Sequence, residues 1–330
     1  MYMKELFIML KKGNTSAFMA AIVNFIISVI KGVAYIFTGN VALFAETLHS
    51  LGDSANQFFV FIGSALSKKA PTGRFPNGFG RLVNLVLLGA VLIVGIMSYE
   101  TIKEGYLHII NPTESSYFLV SLGVLFISII LESIVLLKAM REIMHETGEG
   151  YTGISYVYKS FGKFKEAKPA TRLVFLEDLV ATIGGLLAMI AIIISHYTPV
   201  HAAEGLASIM IGILMLIVVG KVFLDNAAGA LGEADEVMEQ YIGDKVIKEQ
   251  GIKDVQDVVV IKEGEDFHVE VSVEIDPNLT VAEMDDIKDR LKTKILQEKG
   301  VVDVLVDFDE DDGVRSWRKS AEPLEEIYEE

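Results

Sequence analysis

Apolar positions arrive along this chain in long unbroken blocks and then, past residue 230, in short alternating runs. Six blocks are long enough to cross the roughly 30 Å of a bilayer's hydrocarbon, which takes about 20 helical residues. They cover 17–38, 41–66, 82–104, 117–140, 171–195 and 203–224. The later pattern predicts a helix over 234–250, strands in "VQDVVVIKEG" and "FHVEVSVEID", an amphipathic helix over 281–298 opened by Thr280, and a third strand in "VVDVLVDFD". The expected fold is an α-helical membrane protein with six transmembrane helices and a C-terminal cytoplasmic α+β domain. That domain runs αββαβ (ferredoxin-like), its helices on one face of a small sheet. The expected divisions are a cytoplasmic N-terminus 1–16, a six-helix domain 17–230, a soluble domain 231–310 and an acidic tail 311–330.

Charge sharpens this division. The chain is 51% apolar yet carries a formal charge of −16 over 330 residues, which one soluble core does not explain. From Leu231 onward there are 30 acidic against 12 basic residues, so the first 230 residues are slightly basic, at +2. One set of connections between the blocks holds Lys68, Lys69, Arg74, Arg81, Lys138, Arg141 and Lys159, with Lys4, Lys11 and Lys12 ahead of the first block. The opposite connections hold only Lys103. Positive charge stays inside, so both termini are expected in the cytoplasm of a multi-pass integral membrane protein.

Absences narrow the chemistry. There is no cysteine, which removes disulfides and thiolate metal sites. "MYMKELFIMLKKGN" lacks the small-residue cleavage site of a signal peptide and reads as a lead into the first span. "HETGE" lacks the second histidine of a zincin, and no Walker-type phosphate loop is present, which argues against ATP-driven pumping. No nucleic-acid partner is expected.

Ionisable residues at membrane depth cost about 2.5–3.5 kcal/mol each, so each one here is a candidate for function. In "AETLHSLGDSANQ", Glu46, His49 and Asp53 share one helix face at i, i+3, i+7. Counted at 1.5 Å per residue, Asp53 lies roughly 18 Å below the outer boundary and Asp178 roughly 16–17 Å below it. His49 and Asp53 could chelate one divalent ion with Asp178 as a third ligand. The competing reading is hydrogen-bonding glue between helices. Glu177 is turned about 100° from Asp178, so both ligate only where the helix bends or unwinds. Lys31 and Glu46 lie at similar depths, about 7–9 Å down, and are expected to pair, with an outer gate as the functional alternative. Glu132, roughly 22 Å down, is expected too far from Lys31 to pair directly, and either lines an inner vestibule or bonds to backbone.

These residues also carry a resemblance. "TGNVALFAETLHSLGDSANQ" resembles the first two helices of the cation diffusion facilitators, and "FPNGFGR" and "ALGEA" fit the same family. The resemblance implies a homodimeric exporter that exchanges a divalent transition metal for protons, by alternating access around a mid-membrane tetrahedral site. On that reading His49, Asp53 and Asp178 match family ligands. The remaining position, four residues before Asp178, is usually His or Asp and here is Val174, which leaves Glu177, water or another helix to supply the fourth ligand. Phe75 and Phe79 stand where relatives with a second site carry histidines. The tail offers only His268, read as a strand histidine without a ligand role, and carboxylates such as Asp307 and Asp309.

A shell with fewer imidazoles and more carboxylate shifts preference from Zn²⁺ toward harder Mn²⁺ or Fe²⁺, while general affinity order keeps Zn²⁺ first. The expected partners are therefore divalent metal ions, protons, the lipid bilayer and a second copy of the chain, with no cofactor beyond the transported metal. Two other classes compete with transport. One is a metal-binding sensor or scaffold that moves nothing. The other is an intramembrane aspartyl hydrolase using Asp53 and Asp178, although "LGD" and "LED" do not match the motifs of such enzymes.

Overall fold

In a computed structural model, the described residues are 13–317 apart from 76, 77, 114, 149, 151, 152, 165, 166, 168, 264 and 265. Residues 1–12 of the expected N-terminus 1–16 and residues 318–330 of the expected tail 311–330 lie outside them. The chain divides into two units, one built from residues 1–66 and 85–227, the other from 67–84 and 228–330.

The first unit is a helical bundle: α1 (Thr15–Thr38), α2 (Val41–Ser67), α3 (Leu82–Ile110), α4 (Phe118–Glu146), a short α5 (Tyr156–Lys163), α6 (Pro169–Tyr197) and α7 (Ala202–Leu231). "TGN" separates α1 from α2 for local reasons. Gly39 adopts a left-handed φ of +67° that ends α1, and the Asn40 side chain accepts from the Leu43 amide to begin α2.

Among the described residues, five helices are long and apolar enough to cross a membrane: α1, α3, α4, α7 and the Val174–Tyr197 part of α6. The expected second span, α2, has the length, at 27 residues, but not the composition. Glu46, His49, Asp53, Asn56 and a series of serines and glycines dilute its apolar residues, and much of the helix is buried by its neighbours instead.

Small side chains let the helices approach closely, as packing without a hydrophobic driving force requires. Ala34, Ala42, Ala45, Ala188, Ala191 and Ala207 form the bundle core with Leu43, Leu125, Ile192, Ile211 and Met215. At the α3–α7 crossing, a Cβ on Gly105 would stand 2.6 Å from the Gly205 carbonyl oxygen, so neither glycine admits a side chain. Large apolar residues such as Phe25, Phe37, Leu92, Leu119, Ile127 and Ile217 face outward, as lipid-facing positions do.

In the second unit, α8 (Glu236–Val246), β1 (Asp254–Glu263), β2 (Asp266–Ile275), α9 (Val281–Ile295) and β3 (Val301–Glu310) follow the expected order. The sheet order is β1-β2-β3, with β1 and β2 antiparallel and β2 and β3 parallel. The α9 crossover is what permits the parallel pair. Ile242 and Val246 of α8 and Ile287, Leu291 and Ile295 of α9 share one core with the inward valines of all three strands. Thr280 caps α9 as expected and forms a full capping box with Glu283.

Candidate metal centre

The polar face of α2 turns into the bundle. A cavity of about 30 Å³, room for about one water-sized occupant, is bordered by His49, Gly52, Asp53 and Asn56 of α2 and Glu177 of α6. Val91 and Val94 of α3 and Met215, Val218, Val219 and Val222 of α7 close the other side. Donors on one wall and hydrocarbon on the other keep the local dielectric low, which strengthens every charge interaction inside.

His49 is buried, and its Nε2 lies 3.5 Å from Asp53 Oδ2. That nitrogen and Asp178 Oδ2 are buried atoms without a hydrogen-bond partner among the described residues. Glu177 is held differently, for Asn56 Nδ2 donates to its Oε1 at 3.0 Å. The cavity thus brings together His49, Asp53 and Glu177. Asp178 does not border it but stays within electrostatic range of Asp53. The 100° between consecutive helix positions explains why one of the two α6 carboxylates points in when the other does not. Val174 is 40% exposed and brings no donor. In this conformation no three His, Asp or Glu side chains among the described residues are close enough to share one ion.

Next to this cavity lies a buried ionic triad. Lys31 Nζ donates to Glu46 Oε2 at 2.8 Å, to Glu132 Oε1 at 2.9 Å and to Ser50 Oγ at 3.0 Å. The expected Lys31–Glu46 pair is present. The expectation that Glu132 lies too deep to reach Lys31 is corrected, because depth counted along helix axes leaves out the length of a lysine side chain, which carries its charge well away from its own Cα.

Asn56, Ser50 and Glu204 are buried polar partners beyond the candidates read from the sequence. Asn56 stood at i+7 from His49 and i+3 from Asp53, so the spacing already put it on the site's face. Glu204, at 1% exposure, lies in the first turn of α7, where a carboxylate suits the helix dipole, and accepts from Ser115 Oγ at 2.6 Å. In the second unit, His268 Nε2 lies 3.4 Å from Glu263 and its Nδ1 3.9 Å from Asp303. Asp309 accepts from Gln256 at 3.2 Å, and Asp307 from the Phe308 amide at 3.0 Å. The Phe75 and Phe79 rings contact one another at 5.1 Å.

Comparison with known proteins agrees with this architecture. The cation efflux transmembrane domain matches residues 17–229, and the cytoplasmic domain of cation efflux proteins matches residues 234–311. The mouse (Mus musculus) mitochondrial proton-coupled zinc antiporter SLC30A9 is 26% identical over 68% of this chain, which spans 39% of that protein's length. Magnetosome protein MamM of Paramagnetospirillum magneticum is 22% identical, covering 83% of this chain and 80% of its own length. Metal tolerance protein C4 of Arabidopsis thaliana is 24% identical over 68% of this chain and 48% of its own. With the helical bundle and the αββαβ unit each matched in turn, the chain belongs to the cation efflux family, the cation diffusion facilitators, which are metal transporters and not enzymes.

Proposed function

We propose that this protein is a proton-coupled antiporter that exports divalent transition metals from the cytoplasm, with Zn²⁺ first and Mn²⁺ and Fe²⁺ close behind. The observation that carries the reading is the meeting of His49, Asp53 and Glu177 in one cavity among α2, α3, α6 and α7. Asp178 completes the shell when α6 turns toward α2. Imidazole and carboxylate together suit borderline cations, and an oxygen-rich shell keeps Mn²⁺ and Fe²⁺ in competition.

Proton coupling follows from ligand chemistry. Histidine and carboxylate ligands must be deprotonated to bind, so metal entry releases protons and proton entry releases metal. The α2 helix is the sixth span, sheltered by the other five despite its polar composition, and six spans put both termini in the cytoplasm. The αββαβ unit, with the parallel β2–β3 pair of a ferredoxin-like sheet, joins two copies into a homodimer. Two relatives are named for transport or tolerance of metals, in keeping with this reading.

Flux into proteoliposomes under an imposed pH gradient, with Zn²⁺, Mn²⁺ and Fe²⁺ in turn, tests it. Saturable flux that follows the gradient and vanishes in Asp53→Ala and Asp178→Ala supports the antiporter. Tight binding with no flux for any of the three metals would leave a sensor or scaffold.

A further inference from the structure

We infer that Lys31, Glu46 and Glu132 form a proton-binding site separate from the metal ligands, and that it gives up its proton when the cation arrives. The inference rests on the antiporter reading above and names a second group that carries its protons.

Lys31 has three N–H donors, and all three are used, on Glu46, Glu132 and Ser50. Lys31 and Glu46 are fully buried, and the Glu132 side chain is 13% exposed. One ammonium against two carboxylates leaves a net charge of −1 if all three are ionised. An uncompensated charge away from water is too costly to hold, so such a cluster takes up a proton instead.

The geometry leaves that proton a place. Lys31 occupies one oxygen of each carboxylate. The other two, Glu46 Oε1 and Glu132 Oε2, are buried without a hydrogen-bond partner among the described residues. Both face α6 at its adjacent glycines. A Cβ on Gly184 would stand 2.7 Å from Glu46 Oε1, and one on Gly185 would stand 3.6 Å from Glu132 Oε2. Gly184 thus keeps open the space beside Glu46 Oε1, while the tight contact at Gly185 is with Ile129 at 2.7 Å. Glu177 and Asp178 lie about two turns earlier on the same helix, so a movement of α6 acts on the triad and the cation site together.

The charged groups of neighbouring positions that face the triad are His49 and Asp53 on α2 and Asp178 on α6. Asp53 is within electrostatic range of Lys31 and Glu46, and Glu132 of His49 and Asp178. Two of these three, Asp53 and Asp178, are acidic, so in the absence of a cation they add to the negative charge around the triad. A divalent ion beside Asp53 reverses the balance. The carboxyl O–H bond breaks, the carboxylate stays paired with Lys31, and the proton leaves to water. By linkage, a proton arriving at the triad weakens cation binding by the same factor.

The alternative is a structural clamp that ties α1, α2 and α4 together and never titrates. Proton counting separates the two. The full-length protein in lightly buffered detergent is titrated with Zn²⁺ while a pH indicator reports protons released per ion bound, for wild type and Glu132→Gln. The expected result is unchanged Zn²⁺ stoichiometry with about one proton fewer released, and weaker dependence of proteoliposome flux on the pH gradient. Wild-type proton release from Glu132→Gln with Zn²⁺ still bound would overturn the inference. Should that variant fail to fold, Lys31→Met/Glu46→Gln/Glu132→Gln removes the triad's charges together and is read the same way. Absence of gradient-driven flux in the wild type would instead sink the antiporter reading.

Discussion

Lys31 and Glu132 stand 101 residues apart in the chain, and their charged atoms lie 2.9 Å apart. This contact joins α1 to α4, and the Glu46 contact joins α1 to α2, so one lysine fastens three helices beside the metal centre. Removing one member of a buried ion cluster costs more than its absence from the outset, because the partners stay buried and unpaired.

Lys31→Met is therefore expected to destabilise the bundle by about 3–5 kcal/mol, the range for breaking a buried pair. Thermal unfolding in detergent checks this. The accompanying changes Glu46→Gln and Glu132→Gln should recover much of the loss, and no recovery would count against a charge origin.

Gly184→Ala places a methyl 2.7 Å from Glu46 Oε1, closer than packed atoms tolerate. A loss of about 1–3 kcal/mol of stability is expected, along with slower metal flux. Gly220 on α7 has no atoms near its Cβ position, so Gly220→Ala serves as the control and should leave both nearly unchanged.

Asn56→Leu removes the amide that donates to Glu177 Oε1. If Glu177 is a ligand, losing the group that orients it should weaken Zn²⁺ binding by about 10–100-fold. Isothermal titration on the purified protein gives the answer, and unaltered affinity would take Glu177 out of the shell.

In the second unit, Glu283 Oε2 accepts from the Thr280 amide and hydroxyl, both at 2.8 Å. These bonds hold its carboxyl below the usual glutamate range. A depressed carboxylate pKa stabilises the fold above the unfolded value, about 4.3, and that contribution fades as pH falls through the lower folded value. Thr280→Ala should cost about 1 kcal/mol near neutral pH, as loss of a helix cap does. The difference between variant and wild type, followed by circular dichroism melts from pH 7 to pH 3, should narrow toward the acid end. A difference that stays constant with pH would show that the box does not depend on the Glu283 charge.

Much of this protein is written locally. Long apolar blocks, the "TGN" break, the alternating valines of β1 to β3 and the Thr280 cap depend on neighbours a few residues away, and periodicity reports such neighbours directly. His49 and Asp53 were legible as a pair for the same reason, being four residues apart on one helix. Apart from the Lys31–Glu46 pair, which matching depths suggested, relations between helices were not legible. Which α6 carboxylate enters the cavity depends on how that helix is rotated, and rotation is set by packing against alanines and glycines of other helices. The reach of Lys31 to Glu132 depends on side-chain length and the closeness of α1 to α4, and neither appears in a count of residues along an axis. The sequence by itself determined the elements, their order and the face of α2 that bears charge. Tertiary structure decided that Glu132 joins Lys31 and that Glu177 enters the cavity, because the free energy of a buried charge depends on partners that only folding brings near.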